Sequence, residues 1–499
     1  MNLNKVIILF LILSLSFSGI GAQNYYQLET KLDKIQMEFS IPGVSIAVVR
    51  GNKVVYEFNS GILKLTEQDS VSNKTIYPIA SATKTFTAMG IGILLDQGKL
   101  SLQDPIIKFL PWFKLNDDYV TKNLTIRDLL SHRSGLSSEG LIYMGSGFER
   151  NETVKRLRDM PISNFRSSFA YSNILYNALG LIIEQVSGLS WEDFIQTNVL
   201  DALDMQNSTS DFEKPTTSNT VTPHRFIDYE NGQIKPASES FPLSNAPAGG
   251  IRSTSSDMSE YIKLLLNNGI VNSDTIVQPG TIKEFWEPHI RSWDYWTREG
   301  SFSAYGLGWF LTDYATKRIM YHPGGGGGVT SLISLIPSED IGVVVLTNLD
   351  SWSVFAFTNT IYDHFLRLEP YDWIEIIKPH ETNPKELAKW YSEFENGRIE
   401  GTVPTLDLAE YCGTFRHKTF GDVTIELVND ELILKRGDYI SDLSHWHYDT
   451  FKSIIRNNKI GFDTVTFYIG SDGTVDELMI WDRKEFYKVT KTSSNSGHH

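Results

Sequence analysis

A serine and a lysine three residues apart, Ser81 and Lys84, are the first pair of side chains that could carry out chemistry. A hydroxyl is a weak nucleophile until a neighbouring base takes its proton. Lysine can be that base when burial or a nearby cation lowers its pKa from the usual ~10.4. On a helix the two side chains would share one face. The spacing is common by chance, and the alternative is a helix start capped by Ser81 or Thr83 with Lys84 at the surface.

Two segments farther along the chain contain groups that would complete such a site. Tyr171 and Asn173 supply a phenol and an amide, and His322 stands just before five consecutive glycines at 324–328. A phenol that titrates near pH ~10 is mostly protonated at neutrality, so it acts as a base only by sharing its proton with Lys84. The glycines let a substrate lie close against the backbone. The alternatives are a helix entry with Asn173 as cap, and a flexible surface turn.

Four segments resemble, in order, the serine β-lactamase and penicillin-binding-protein superfamily, in the branch of class C β-lactamases and related esterases and D-aminopeptidases. The first, 79–105, contains the serine and lysine and resembles the nucleophile helix of that superfamily. The others are LLSHRSGL at 129–136, FAYSN at 169–173 and HPGG at 322–325. The resemblance implies an α+β fold in which an antiparallel sheet is flanked by helices, beside a helical region.

The same resemblance implies a role for each motif. Ser81 would form the acyl-enzyme, with Lys84 and Tyr171 as the proton-transfer pair, and the sequence leaves open which of the two is the base. The backbone N–H groups of Ser81 and Gly325 would form an oxyanion hole, in which each donor contributes about 10²–10³ in rate. No cofactor and no metal is implied. The implied substrate and oxyanion residues are Asn173, His322, Gly324 and Gly325.

The third motif bears on the substrate, because the superfamily has Lys-Thr-Gly or His-x-Gly where this chain has His322-Pro323-Gly324. A lysine would bind the carboxylate of β-lactams and peptidoglycan stems, whereas an imidazole with a pKa of ~6.5 is largely neutral at pH 7. The sequence therefore predicts cleavage of small esters or short peptides, including peptides with D-residues. The alternatives are β-lactamase or DD-peptidase activity, and a catalytically silent relative that binds peptidoglycan or another ligand.

Several other classes of protein and site are disfavoured. The formal net charge of −15 argues against a nucleic acid partner, because an acidic surface repels the phosphate backbone. The single cysteine, Cys412, excludes an intramolecular disulfide. The chain lacks the Gly-x-Ser-x-Gly of an α/β-hydrolase. His445 and His447 would share one face of a strand, but two ligands are too few for a metal site. The residues interpreted as structural are His132, Arg133 and Arg252.

Two hairpins are predicted far apart in the chain. The β-rich runs 44–49 and 53–58 flank a short turn, and 331–336 and 343–346 flank another. The third motif would lie just before the second hairpin. Strands at both ends of a long segment, with helices between them, predict one domain whose two ends share a sheet.

Two helices are predicted between the hairpins. The first begins near Ser81 and ends at Gly98, with apolar residues at helical spacing. The second, over 175–186, ends at Gly188. Glycine is a common helix stop because it adopts the left-handed conformation without strain.

The C-terminal part has the short alternating runs of a small antiparallel barrel or sandwich. These runs are 423–428, 431–435, 464–469 and 475–481. Segments 408–415 and 445–451 resemble the lipocalin-like domain that follows the catalytic domain in some serine hydrolases of this group.

The first residues predict export. One positive charge precedes the apolar run 6–17 and then small residues, which is typical of a cleavable signal peptide, and the run is shorter than the ~20 residues of a spanning helix. We therefore expect a secreted or periplasmic protein, with a homo-oligomer possible, that acts on a small-molecule ester, peptide or β-lactam-like substrate or binds a peptidoglycan-derived ligand. The predicted divisions are a signal peptide at 1–22, a hydrolase domain at 23–370, a linker at 371–404, a lipocalin-like barrel at 405–490 and a disordered tail at 491–499.

Overall fold

The structure is a computed structural model of the chain. The residues that it describes are 25–136, 140–214, 217–228, 233–237, 243–381, 383–456, 462–480 and 484–489. The predicted signal peptide and C-terminal tail lie outside these residues. Among the helices within them, none is long and apolar enough to cross a bilayer.

An antiparallel sheet of eight strands forms the centre of the first domain. Residues 44–50, near the start of the domain, pair with 341–347 near its end, which confirms the prediction that both ends share one sheet. Both predicted hairpins are present. In order across the sheet, the strands are Lys53–Gly61, Gly43–Arg50, Ile341–Thr347, Val329–Ile336, Lys317–Gly326, Phe310–Tyr314, Ser303–Tyr305 and Ile290–Arg291.

The middle strands are apolar along their whole length because helices cover both faces of the sheet. Every residue of Val329–Ile336 and Ile341–Thr347 is buried. Alternate residues of Ile341–Thr347 belong to two separate cores, as expected when successive side chains point to opposite faces. The helix Ser255–Leu266 contributes to one core and Ser353–Phe365 to the other. The sheet is therefore a rigid platform for the strands that reach the candidate site.

The strand Lys317–Gly326 contains the third motif, His322 to Gly325. As the sequence predicted, this motif precedes the second hairpin; the sequence did not predict that the motif itself lies in a strand, which pairs with Val329–Ile336. Proline and glycine are weak strand formers, so this strand was not visible as an apolar alternation.

The helical region is built around the helix Thr83–Asp96. Its residues from Thr83 to Leu94 are all buried, so the helix has no solvent face. It packs against Asn173–Ser187, which is capped by Ser172 and closed by Gly188 with a φ of 78°. The other α-helices before residue 370 are 25–38, Asp118–Asn123, Ile126–Leu130, Arg150–Lys155, Trp191–Ile195, Ala246–Gly249, Ser255–Leu266, Pro279–Phe285 and Ser353–Phe365.

The segment predicted as a linker, 371–404, contains two α-helices, Trp373–Ile377 and Pro384–Asn396. The second has a strong start, because the Asn383 side chain accepts a hydrogen bond from the N–H of Lys385 and a proline occupies the first helical turn. The polar composition that suggested a linker belongs to a largely exposed helix.

The C-terminal part is a closed barrel of eight antiparallel strands, which confirms the predicted antiparallel barrel. Its core contains Phe415, Phe451 and Phe467, with the ring centroids of Phe451 and Phe467 5.6 Å apart. The strands are Gly413–His417, Gly421–Val428, Glu431–Arg436, Tyr439–His447, Thr450–Ile455, Phe462–Ile469, Val475–Ile480 and Lys484–Lys488.

The barrel packs on the loop and helix of the first domain that follow residues 129–136, the second of the four motif segments. The guanidinium of Arg436 is buried and donates hydrogen bonds to the carbonyl oxygens of Met144 and Phe420. From the other side, Arg156 donates to the carbonyl oxygen of Thr419 at 3.0 Å. Each domain thus contributes an arginine that donates to a backbone carbonyl oxygen of the other domain.

Candidate active site

The turn that carries Ser81 leads directly into the buried helix. A 3₁₀ turn over Ala80–Ala82 is followed by Thr83–Asp96 without a break. Ala80 has a φ of 45°, a left-handed conformation that is strained for alanine. The turn leaves Ser81 half-buried at the wall of a cavity.

Lys84 is completely buried beside Ser81. Its Nζ lies 3.2 Å from the Oγ of Ser81 and donates a hydrogen bond to the carbonyl oxygen of Ala248 at 2.8 Å. Burial lowers the pKa of Lys84 well below its usual value. A neutral amine keeps an N–H group for Ala248 and gains a lone pair that can accept a proton. The structure therefore brings the serine and lysine together in surroundings that favour the basic form of the amine.

Tyr171 approaches the same hydroxyl. Its phenol interacts with the side chain of Ser81, and its ring centroid lies 4.8 Å from the Nζ of Lys84. Burial raises the pKa of Tyr171 well above its usual value, so the phenol keeps its proton at neutral pH. Of the two groups beside Ser81, Lys84 is thus suited to accept a proton and Tyr171 to donate one.

His322 is buried and neutral. Its Nδ1 donates to the carbonyl oxygen of Pro323 at 2.7 Å, so its Nε2 accepts from the hydroxyl of Tyr305 at 3.0 Å. Burial, and secondarily the closeness of the Lys84 side chain, lower the pKa of His322 to about 3. The imidazole lines the cavity but supplies no positive charge at pH 7.

The two predicted glycines lie in different surroundings. A Cβ atom on Gly324 would lie 2.1 Å from the carbonyl oxygen of Ile79, so only glycine lets this strand pass the Ser81 turn. The Oγ of Ser331, on the paired strand, donates to the same carbonyl oxygen at 2.6 Å. A Cβ on Gly325 would meet nothing within 4 Å, and this residue lines the cavity together with Ser81.

Asn173 is not brought into the cavity wall that the described residues form. It begins the helix Asn173–Ser187, and its Nδ2 donates to the hydroxyl of Tyr143 at 3.0 Å. The amide therefore lies one residue from the Ser172 cap, where it contacts the loop on which the barrel packs.

His132, interpreted from sequence as structural, is buried against the rings of Tyr171 and Tyr305. Its ring centroid lies 4.3 Å from that of Tyr171 and 4.9 Å from that of Tyr305. Its Nδ1 accepts the backbone N–H of Ser172 at 3.2 Å, which places the ring proton on Nε2. Burial and Lys84 lower the pKa of His132 well below its usual value. His132 thus anchors the backbone next to Tyr171.

The cavity beside Ser81 has a volume of about 370 Å³. Aromatic rings and two carboxylates that sequence reasoning missed form much of its wall. For this wall, the only indication within the local amino-acid sequence was the aromatic stretch 293–296, which forms part of it. The lining residues are Ser81, Tyr171, Trp293, Tyr295, Phe310, His322, Pro323, Gly324, Gly325, Gly326, Thr330, Asp350, Ser351, Trp352 and Glu381.

The histidine pair in the barrel has protein partners. The Nε2 of His445 lies 3.0 Å from the carbonyl oxygen of Tyr448, and the Nδ1 of His447 accepts the N–H of Ile399 at 3.4 Å. In the part of the chain that the structure describes, no group of three or more His, Cys, Asp or Glu side chains is arranged to hold a metal ion.

The chain belongs to the Beta-lactamase family, whose family model matches residues 28–366. This match confirms the resemblance inferred from the four motifs. A second family model, a domain of unknown function (DUF3471), matches residues 397–492, which include the barrel.

Two relatives show how far the similarity extends. Protein flp of Staphylococcus aureus (strain MW2) is 28% identical over 331 residues, which is 65% of this chain and 63% of that protein. The chain therefore matches a little under two thirds of the length of this relative. The unguisins hydrolase ungD' of Aspergillus campestris is 27% identical over 416 residues, 77% of this chain and 74% of that protein.

Solved structures share the fold. The octameric penicillin-binding protein homologue of Pyrococcus abyssi superposes with a TM-score of 0.62 at 25% identity, over 93% of this chain and 99% of that one. A class C β-lactamase of Rhodobacter sphaeroides has a TM-score of 0.55 at 20% identity, over 68% of this chain and 98% of its own. The first comparison covers both domains and the second covers the hydrolase-like domain.

Proposed function

We propose that this protein is a serine hydrolase that cleaves ester or amide bonds through an acyl-enzyme on Ser81. The observation that carries the proposal is the contact of 3.2 Å between the Nζ of Lys84, whose side chain is fully buried, and the Oγ of the half-buried Ser81. A surface lysine would be protonated at pH 7, whereas a desolvated one is available as a base.

In the acylation step, Lys84 takes the proton of Ser81 while Oγ attacks the substrate carbonyl carbon. The carbonyl oxygen becomes an oxyanion that accepts the N–H groups of Ser81 and Gly325. The bond to the leaving group then breaks, and the leaving group takes a proton from Tyr171, which regains one from Lys84. Water attacks the acyl-enzyme by the same steps in reverse and releases the acid.

The neutral His322 supports esters and short peptides as the leading substrates. β-Lactams and peptidoglycan stems carry a carboxylate, which an uncharged imidazole binds weakly. β-Lactamase or DD-peptidase activity is the alternative. A catalytically silent ligand-binding role is disfavoured, because a binding protein gains nothing from a buried lysine held beside an accessible serine.

We also propose that residues 1–22 direct export and that the protein assembles into homo-oligomers. The first rests on the charged, apolar and small-residue pattern of this segment. The second is supported by the octameric Pyrococcus abyssi homologue, which the chain matches over 93% of its length.

Labelling with a fluorophosphonate probe tests the proposed nucleophile. The wild-type protein should gain one adduct, mapped to the peptide that contains Ser81, and Ser81→Ala should gain none. The exposed Ser338 of a hairpin turn provides a matched control, so Ser338→Ala should be labelled like the wild type. Equal labelling of Ser81→Ala would contradict the proposal.

A further inference from the structure

The charges on the cavity wall are negative. Among the described residues that line it, Asp350 and Glu381 are the acidic ones, and none is a lysine or an arginine. The one basic side chain, His322, is neutral because burial lowers its pKa to about 3. A carboxylate on a substrate would therefore meet repulsion here and no counter-charge.

The two carboxylates differ in how they are compensated. Asp350 accepts the N–H groups of Gly326 and Gly328 at 3.2 and 3.0 Å, and its Oδ2 lies 3.2 Å from the Nε of Arg225. Glu381 has no such cation within the described part of the chain, and its neighbouring charge is that of Asp350. Glu381 is thus the negative group that remains to be compensated by a ligand.

Glu381 is held firmly in place. It accepts the hydroxyl of Ser351 at 2.9 Å and the backbone N–H of Trp352, at the start of the helix Ser353–Phe365. Burial raises the pKa of Glu381 above its usual value, whereas the hydrogen bonds from Ser351 and Trp352 oppose that rise because they favour the charged form. The residue lies beyond the family match at 28–366 and before the second match at 397–492, so the connecting segment contributes to the cavity.

Aromatic rings surround the same space. Trp293 and Trp352 are 52% and 40% exposed, and they line the cavity together with Tyr295 and Phe310. Ring faces attract a cation, and an ammonium group over the face of a tryptophan is attracted most strongly when it is desolvated. Aromatic faces beside an uncompensated carboxylate match the chemistry of an alkylammonium group.

We propose that the cavity selects substrates that carry an ammonium group, bound by Glu381 among the rings of Trp293 and Trp352. This inference rests on the proposed hydrolysis at Ser81 and names its substrate class: cationic esters or amides, such as peptides with a free amino group. Asp350 acts mainly as a positioning residue, because its oxygens hold the glycine loop.

Two series of three esters, which differ within each series in the group at one end, provide the test. Each has a tail that ends in a trimethylammonium group, in the isosteric tert-butyl group or in a carboxylate, attached on the acyl side in one series and on the alcohol side in a second. We expect kcat/KM of the ammonium ester to exceed that of the tert-butyl ester by about tenfold in at least one series, which corresponds to ~1.4 kcal/mol. The carboxylate ester should be the slowest.

A substitution that removes one charge assigns the preference to Glu381. Glu381→Gln can still accept the hydrogen bonds of Ser351 and Trp352, and it should lower the ratio of ammonium to tert-butyl turnover by at least about threefold. Glu386→Gln removes the same charge at an exposed position of the neighbouring helix and should leave the ratio unchanged.

The outcomes separate the inference from the function on which it rests. Turnover of the tert-butyl ester that depends on Ser81 supports the hydrolase, whatever the charge preference. Equal rates for the three tails in both series, or a faster carboxylate ester, would overturn the ammonium preference alone. An unchanged ratio in Glu381→Gln would overturn the role of Glu381. No acylation of Ser81 by any ester would contradict the proposed function itself.

Discussion

Gly324 passes so close to Ile79 that a Cβ atom on the glycine would lie 2.1 Å from the carbonyl oxygen of Ile79. The same atom would lie 2.9 Å from the backbone nitrogen of Ala82, on the far side of Ser81 in sequence. The backbone of the strand that contains the third motif is therefore in direct contact with the backbone of the turn that contains Ser81. This contact fixes the distance between Ser81 and the neighbouring Gly325.

Replacing Gly324 should destabilise the protein, because the added methyl group has no space. We expect Gly324→Ala to lower the free energy of unfolding by about 1–3 kcal/mol. Gly325→Ala is the matched control, since its Cβ meets nothing within 4 Å, and it should change stability by less than about 0.5 kcal/mol. Urea denaturation of both variants checks this, and equal stabilities would contradict the described contact.

Lys84 should lower stability at neutral pH, because the folded protein holds it neutral while the unfolded chain protonates it. Its pKa is lowered on folding, so the unfolded state binds more protons below pH ~10.4 and stability rises with pH up to that value. We expect Lys84→Met to increase the free energy of unfolding at pH 7 by about 1 kcal/mol while abolishing activity. The gain should shrink at pH 10. A loss of stability at pH 7 would contradict the burial of a neutral amine.

The pH dependence of hydrolysis should follow Lys84. The amine must be unprotonated to act, so kcat/KM should fall as the pH drops through its lowered pKa. On the basic side, the raised pKa of Tyr171 keeps the phenol protonated beyond pH ~10. Burial lowers the pKa of His322 to about 3, so His322→Asn should leave the acid limb of the profile where it is. Disappearance of that limb in His322→Asn would assign it to the imidazole instead.

His132 should act through Tyr171. Its Nδ1 accepts the N–H of Ser172, and its backbone has a φ of 55°, which asparagine tolerates well. We expect His132→Leu to lower kcat by about tenfold or more, because a buried N–H loses its partner, a change that costs about 1–3 kcal/mol. His132→Asn, which offers an acceptor oxygen, should recover part of this loss. Equal kcat values for the two variants would indicate that the hydrogen bond has no role.

The sequence was sufficient for the elements whose signals are local. The hairpin at 44–58, the helix that ends near Gly98 and the barrel runs after residue 420 follow from alternation, helical spacing and turn residues. The strand Lys317–Gly326 was hidden because proline and glycines occupy its last four positions and remove the apolar pattern. The helix Pro384–Asn396 was hidden by its charged, exposed surface.

Only the site residues that belong to the sequence motifs could be predicted. Ser81, Lys84 and Tyr171 meet as the resemblance implied, and Asn173 does not line the cavity. The cavity wall was out of reach, because Trp352 and Glu381 are brought beside Ser81 by the packing of the sheet, its covering helix and the segment that follows. The spacing of these residues along the chain contains no information about such a contact.

Trapping the acyl-enzyme tests the central claim most directly. The protein is mixed with an excess of a p-nitrophenyl ester, quenched in acid and digested, and the acylated peptide is identified by mass spectrometry. We predict a burst of p-nitrophenol close to one equivalent per protein, with the acyl group on Ser81, and no burst in Ser81→Ala. Hydrolysis that proceeds in Ser81→Ala at the wild-type rate, or an acyl group found on another residue, would contradict the account.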